Sequence, residues 1–507
     1  MEHYDIIIIG TGAGGGSLLQ RLAPTGKRIL VLERGGFLPR ERENWDPSAI
    51  ASGRYRAPVR YRDQHGTAFQ PFTHHFVGGN TKLYGAALLR QREHDFGPVQ
   101  HWGGVSPAWP LGYDVFEPYY TEAEWLYHVH GTRGQDPHEP RSSRAYRHAA
   151  LPHEPRIAAL AERLQGLGFA PFSLPLGLRP AAPGHAPVHL SLFDGYPDPT
   201  ESKADAHVIG VQPALELPNV ELRTGRLVQR LIPSRSGRTI ETVVAEHAGN
   251  LESYRADVVV VACGAIESAA LFLRSVSDAH PHGLANEHDQ VGRNYMCHHN
   301  GALLAITGEL NDSAFQKTLA FTDFYRRGPS SDLPLGAVQM MGRSQAQDLA
   351  PLLAADAPDM APATAAERCI DFWLTSEDPP ERDNRVTLDA DGTIRLSYRP
   401  TNLPAFDGLR SALSATLRGA LGAETLFTGY RLDISGTSHQ CGTLRFGDDP
   451  RTSVLDLNCR AHGIDNLYAV DGSFFPSSGA VNPSLTIMAN ALRVGDHLIS
   501  RMSGHEA

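Results

Sequence analysis

The first clear pattern in the chain is a short unbroken apolar run, Tyr4 to Ile9, rich in isoleucine. A strand that is apolar on both faces belongs inside a parallel sheet, where helices cover it from either side. A glycine cluster follows, then Leu18, Leu19 and Leu22 at helical spacing, then a second apolar run, Ile29 to Leu32, which ends in Glu33. Strand, turn, helix and strand within about thirty residues predict a βαβ unit. A second strand–turn–helix is predicted far downstream, where Asp257 to Ala262 leads through Cys263-Gly264-Ala265 into a helix carrying Leu271 and Leu273. Just before it, Val220 to Arg223 and Ile240 to Glu246 read as strands of a small meander.

Between about 300 and 440 the character changes. Ala302–Ile306, Thr318–Tyr325, Gly336–Met341, Cys369–Thr375, Arg385–Leu388 and Thr393–Tyr398 are strand-like, and Asp391-Gly392 between the last two is a hairpin signal. An antiparallel sheet is expected there, forming a second lobe inserted into the first. The segment from 105 to 205 is rich in Pro, His, Arg and Gly and reads as long ordered loops with a few helices, one of them over Arg156–Leu167.

Composition narrows the class. A chain of 507 residues predicts two lobes or one large interleaved unit. With 41% hydrophobic and 20% charged residues it has the balance of a globular protein with a large core. No window approaches the roughly 18 consecutive apolar residues of a membrane span. A formal charge of -10 speaks against a nucleic-acid partner, which selects for a basic face. The start, Met1-Glu2-His3-Tyr4-Asp5, has no basic leader pattern, and the five cysteines are sparse, odd in number and without a C-x-x-C pair. A cytoplasmic protein with reduced thiols and no metal site is expected. The 24 histidines are mostly scattered through loops, where solvated or hydrogen-bonding roles are the default.

The chemistry concentrates at the two ends. Gly10-Thr11-Gly12-Ala13-Gly14-Gly15 matches G-x-G-x-x-G between a buried strand and a helix. Gly10 permits the tight turn, Gly12 lets the backbone approach a pyrophosphate, and Gly15 allows close helix–strand packing. The helix N-terminus, with Ala13 and Gly14, offers free N–H groups to the phosphates. Glu33, with Arg34 beside it, is placed to bind the adenosine ribose. A second glycine-rich loop, Val77-Gly78-Gly79-Asn80-Thr81-Lys82-Leu83-Tyr84-Gly85, could lie against a flat ring. Near the other end stand Ser438-His439-Gln440-Cys441-Gly442-Thr443, then Val470-Asp471-Gly472-Ser473, then Asn482-Pro483-Ser484-Leu485 opening a helix with Pro483 in its first turn. That helix N-terminus could stabilise negative charge on a reduced flavin.

Taken together these motifs resemble the glucose–methanol–choline (GMC) oxidoreductase family over nearly the whole chain. The resemblance rests on Gly10 to Gly15 with Glu33, and on the Gly78-Gly79-Asn80 loop. It continues through Trp109-Pro110 with Glu117-Pro118-Tyr119-Tyr120 and Ala123-Glu124, and through Val260 to Ser268. It closes with the H-x-x-G-T stretch at His439, Val470 to Ser473, and Asn482-Pro483. It implies an α/β plus α+β protein, with a Rossmann-type FAD-binding domain and an inserted antiparallel-sheet substrate domain. The expected boundaries are 1–104, 206–300 and 439–507 for the FAD-binding parts, 105–205 for loops and substrate-domain elements, and 301–438 for the substrate domain. Arg34, Tyr84, Val228, Ala262, Gly264, Asp471, Gly472, Pro483, Ser484 and Leu485 join the glycines, Glu33 and Asn80 as expected FAD contacts.

The implied reaction is oxidation of a CH–OH group in an alcohol, sugar or cyclic polyol. His439 acts as general base on the hydroxyl while hydride passes to flavin N5, and Asn482 orients the substrate oxygen. Electrons then go to oxygen or another acceptor. Thr81-Lys82-Leu83-Tyr84 stands where members with a covalent flavin link carry a histidine, so FAD is expected to be non-covalent, although His74 and His75 lie just upstream. No cysteines accompany Leu192 to Pro197, where bacterial relatives often have a cluster, so a cofactor or staple tied to them is not expected. The alternatives are a lyase or decarboxylase on the same fold, a flavin-binding protein without activity, and an NAD-dependent dehydrogenase.

Overall fold

Ile6 to Ile9 are 0–4% exposed and sit in the middle of a seven-stranded sheet. The computed structural model describes residues 2–180, 193–436 and 438–504. From one edge, the sheet runs Val220–Arg223, Ile29–Leu32, Glu2–Ile9, Asn250–Val261, Ile240–His247 and Leu227–Pro233. The first four are mutually parallel, and Leu467–Ala469 joins them in parallel beside Val259–Val261. The 12-residue strand Asn250–Val261 serves three neighbours: Glu2–Ile9 lies along one side, while on the other its first residues close an antiparallel meander with Ile240–His247 and its last pair with Leu467–Ala469. Its all-valine end is buried on both faces, as a central parallel strand must be.

One expectation is corrected here. Val220–Arg223 is not part of the meander; it pairs in parallel with Ile29–Leu32 at the sheet edge, and the meander uses Leu227–Pro233 instead. Apolar alternation identifies a strand but carries no information on its partner. Helices Ala13–Leu22 and Ser484–Met502, from opposite ends of the chain, pack against each other on this sheet through Leu18, Leu22, Met488 and Leu492.

The second sheet is antiparallel throughout. Its order is Leu426–Arg431, His299–Ile306, Cys369–Ser376, Ala337–Met340, Leu319–Phe321 and Phe172–Ser173. One face carries Leu303, Ala305, Val338, Met340, Phe372 and Leu374 against helices Pro155–Gly166 and Leu403–Leu421. Because side chains alternate, the residues between them point the other way. Cross-strand register places Gln339, Trp373, Ala302 and Tyr430 in one row across that second face.

The Arg385–Leu388/Ile394–Ser397 hairpin forms as the Asp391-Gly392 signal predicts, but it does not join this sheet. It pairs with Tyr61–Asp63 and Ala68–Phe69 in a separate four-stranded sheet, where Arg62 and Arg395 both reach Asp389. Helices Ala346–Asp356 and Leu403–Leu421 and strand Leu426–Arg431 were not read from the sequence. Among the described residues no helix is long and apolar enough to cross a membrane.

Candidate active site

The glycine turn is held by contacts that no larger residue would permit. A Cβ on Gly10 would lie 2.4 Å from the Ala262 carbonyl oxygen, one on Gly14 2.2 Å from that of Val470, and one on Gly15 2.1 Å from that of Gly10. These three glycines let the first helix press against the strand ends. Gly12 differs, since a Cβ there would meet nothing within 4 Å. Its free side opens onto a cavity of about 660 Å³, in the size range of a cofactor site.

The second glycine loop lies on the first. The Gly78 N–H donates to Thr11 Oγ1 (3.0 Å), whose hydroxyl donates to Glu33 Oε2 (2.6 Å). Gly78 has φ +100 and is the cap of the short turn Gly79–Lys82. Lys82 anchors that turn through a buried ion pair with Asp205 (2.8 Å), and Asn80 Oδ1 accepts from the His74 N–H (3.0 Å). Tyr84 is fixed by donating to the Ala204 carbonyl (2.7 Å). Glu33 is buried, and its oxygens also accept from the Thr11 and Gly35 N–H groups (3.1 and 2.9 Å). Burial pushes its carboxyl upward, while those hydrogen bonds oppose the shift.

At the far end, Asp471 ties two motifs together. It accepts from the Gly264 N–H (3.0 Å), the Ser268 hydroxyl and the Ser473 N–H (2.9 Å). Gly442 is required because a Cβ there would lie 2.0 Å from the Asn294 carbonyl oxygen. The turn it makes lets Gln440–Cys441 pair antiparallel with Met296–Cys297. His439 follows at the end of that ladder, with Nδ1 2.9 Å from His298 Nδ1 and 3.1 Å from the Asn300 amide. Burial, then the neighbouring His298 and Lys317, hold its pKa well below the usual imidazole range, so the ring is neutral near pH 7. A neutral imidazole at the wall of a cavity can accept a proton.

One cavity collects most of the expected site residues. Gly10, Gly12, Ala13, Gly14, Glu33 and Arg34 line it. So do Gly79, Asn80, Tyr84, Val228, Ala262 and Gly264, and His439, Asp471, Gly472, Asn482, Pro483 and Ser484. Gly15, Gly78 and Leu485 do not reach it. Gly15 and Gly78 shape the loops that do, and Leu485 is fully buried in the core of the C-terminal helix. Pro483 is the cap of that helix rather than a member of its first turn, which begins at Ser484.

Several lining residues escaped sequence reasoning. Phe193, Asp194, Lys317, Gln339, Trp373 and Tyr430 all face the cavity, as does Met341. For Gln339, Trp373 and Tyr430 the signal was strand alternation, visible only once the register is known; Phe193, Asp194, Lys317 and Met341 lie outside the strands. Leu192 lies outside the described residues; Asp194 accepts from the Gly342 N–H (2.6 Å) and pairs with Lys317.

The fit to FAD can be judged on the residues themselves. An unobstructed backbone turn at a helix start, a buried acid beside it and a second helix start at Ser484 lie along one continuous cavity. A nucleotide's phosphates and a flat ring need such a track.

This arrangement defines an FAD-dependent oxidoreductase acting on CH–OH groups, and comparison with known proteins agrees. Residues 4–300 match the N-terminal and 380–491 the C-terminal domain of the GMC oxidoreductases, and the chain belongs to that family. It is 34% identical to the 6‴-hydroxyparomomycin C oxidase of Streptomyces lividus, over 99% of this chain and 93% of that protein. It is 31% identical to the paromamine 6′-oxidase of Streptomyces fradiae, with the same coverage. A 2-methyl-1,2-propanediol dehydrogenase of Mycolicibacterium austroafricanum is 28% identical over 99% of this chain and 96% of that one. In fold it is similar to a pyridoxine 4-oxidase from Mesorbium loti (TM-score 0.68, 21% identity, 99% of this chain and 100% of that one). A formate oxidase variant of Aspergillus oryzae gives a TM-score of 0.71 at 15% identity, over 100% and 99% of the two chains.

Proposed function

We propose that the enzyme oxidises a primary hydroxyl of an amino sugar, with His439 as the general base and Asn482 holding the substrate oxygen. The observation that carries this reading is that His439 and Asn482 line the same cavity as the glycine turn. Gly12, Ala13 and Gly14 would hold the pyrophosphate, Glu33 the ribose, and Pro483-Ser484 the ring end of FAD. When bound, FAD supplies the two-electron acceptor for hydride from the substrate carbon. His439, kept neutral by burial, takes the hydroxyl proton, without which hydride loss from an alcohol is too slow at pH 7. The Asn482 amide cannot act as a base but donates to the oxygen.

The roof favours a sugar. Trp373 and Tyr430 line the cavity and offer aromatic surfaces for the apolar face of a ring. Gln339 is 6% exposed and its Oε1 has no partner, so a substrate hydroxyl or ammonium can donate to it. Asp348 adds a carboxylate to the same cavity, while Asp194 there is paired with Lys317. Two relatives are named as oxidases, one of 6‴-hydroxyparomomycin C and one of paromamine.

FAD is held without a covalent bond. His75 faces Arg34 and Glu267, at the ribose end, and His74 donates from Nδ1 to the Tyr55 carbonyl (2.8 Å), whereas His439 stands beside His298 and Lys317. The sparse, odd set of cysteines favours a cytoplasmic location.

The test is anaerobic mixing with paromamine-like amino sugars, simple diols and pyridoxine, following loss of the flavin's yellow absorbance. Fast bleaching by an amino sugar is expected, and His439→Ala should slow it by about 10²–10⁴-fold with FAD retained. Bleaching unaffected by that change would remove His439 from the mechanism. Cleavage of a test substrate without bleaching would make the enzyme a lyase.

A further inference from the structure

We propose that His298 is a positioning residue, which fixes the tautomer of His439 so that Nδ1 carries the hydrogen and Nε2 keeps its lone pair for the substrate. The inference rests on His439 being the base.

The placement follows from strand register. Met296 pairs with Cys441 and Cys297 with Gln440, so one step further along this antiparallel ladder His298 falls opposite His439. The rings meet nearly edge to face, at 89° and 5.1 Å between centres, with their Nδ1 atoms 2.9 Å apart. Two nitrogens at that distance share a single hydrogen, and one of them must own it.

The other end of His298 decides which. His298 Nε2 lies 3.2 Å from the Ser478 carbonyl oxygen. A carbonyl can only accept, so this Nε2 carries a hydrogen. His298 is 1% exposed, and a buried imidazole without a carboxylate in hydrogen-bond contact resists a second proton. Its Nδ1 is therefore bare, and the hydrogen between the rings belongs to His439 Nδ1. The basic nitrogen of His439 is then Nε2.

Asn300 meets the same nitrogen. Its Nδ2 stands 3.1 Å from His439 Nδ1, and its Oδ1 accepts from the Thr375 hydroxyl (3.0 Å). The two ends of an amide have the same shape, so hydrogen bonding decides its orientation. With a hydrogen on Nδ1, the amide turns over, its oxygen to His439 and its NH₂ to the Thr375 hydroxyl, which can accept. The unturned orientation would suit a bare Nδ1 on His439, and would then force both nitrogens of buried His298 to be protonated. When His439 Nε2 takes the substrate's proton, Nδ1–H becomes a charged donor and its bond to His298 strengthens. His298 thus supports the imidazolium as well as the tautomer.

A plain bracing role is the rival account, because Ser478 lies in the loop that leads to Asn482. That loop is also held by Gln91 Nε2, which donates to the Ser478 carbonyl (2.6 Å), and by Tyr325, whose hydroxyl accepts from the Ala480 N–H (3.1 Å). Two conservative variants separate the roles. The short amide of His298→Asn reaches the Nδ1 position and can accept from His439, but falls short of Ser478. The longer amide of His298→Gln reaches the Nε2 position and can keep the Ser478 bond.

The experiment is anaerobic stopped-flow flavin reduction with FAD-loaded wild type, H298N, H298Q and H439A, giving the limiting rate and substrate affinity separately. For H298N we expect a limiting rate within about 5-fold of wild type, and for H298Q one lower by about 10–100-fold, the scale of one hydrogen bond to a charged group. Substrate affinity should change little in both. The reverse order, equal loss in both, or wild-type rates in both would each overturn the proposal. Wild-type reduction by H439A would instead overturn the base assignment itself. If H439A is slow while both His298 variants are fast, only the inference about His298 falls.

Discussion

Replacing Gly12 with alanine should damage FAD binding while sparing the fold. An added Cβ meets no atom within 4 Å, and Gly12 has φ -67, which alanine adopts freely. Alanine is a poorer helix cap than glycine by up to about 1 kcal/mol. It also removes freedom from the unfolded chain, worth about 0.4–1 kcal/mol in the opposite sense. Stability of the apoprotein should therefore stay within about 1 kcal/mol of wild type. The methyl group, however, would stand in the open space where the pyrophosphate must approach the backbone. Losing two backbone N–H bonds to a charged phosphate costs about 3–6 kcal/mol, or about 10²–10⁴-fold in FAD affinity. The same change at Gly14 or Gly15 would put Cβ 2.2 or 2.1 Å from a carbonyl oxygen, so those variants should fail to fold with or without FAD. Thermal melts of the apoproteins and fluorescence titration with FAD separate the two effects. FAD affinity unchanged in Gly12→Ala would show that the pyrophosphate does not pass over Gly12.

Trp373→Ala should raise the KM for an amino sugar by about 10–100-fold, since removing about 100 Å² of apolar contact costs about 2.5 kcal/mol; an unchanged KM would take Trp373 out of the substrate site. His74 is buried with its pKa lowered to about 4. Because the unfolded chain binds that proton first, stability is lost as pH falls from about 6.5 toward 4, by about 2 kcal/mol at pH 4.5. In His74→Gln the stability difference between pH 7 and 4.5, read by urea unfolding, should shrink by about that amount, and an identical difference would refute the assignment. Acid precipitation should leave all the flavin in the supernatant; colour retained in the pellet would point to a covalent link.

Much of the cofactor half was legible because its chemistry is local. Gly10 to Gly15 form one turn, and a buried strand before them and a helix after them are readable from a few dozen residues. The same holds for the hairpin at Asp391-Gly392. The partner of that hairpin was not legible, nor was that of Val220–Arg223, because strand pairing is a contact between distant segments. The second helix start was displaced by one residue, from Pro483 to Ser484, which is the usual uncertainty of a helix boundary.

The sequence by itself determined the parallel FAD-binding core, the glycine turn and His439 with Asn482 as candidates, since each is written in short motifs with a physical reason for every position. The tertiary structure decided how the halves meet. A hydrogen-bonded chain from Gly78 through Thr11 to Glu33 joins two loops that share no sequence signal. Register alone sets Gln339, Trp373, Ala302 and Tyr430 in one row and brings His298 opposite His439. Alternation along a strand says which residues share a face, but only pairing across strands says what that face meets.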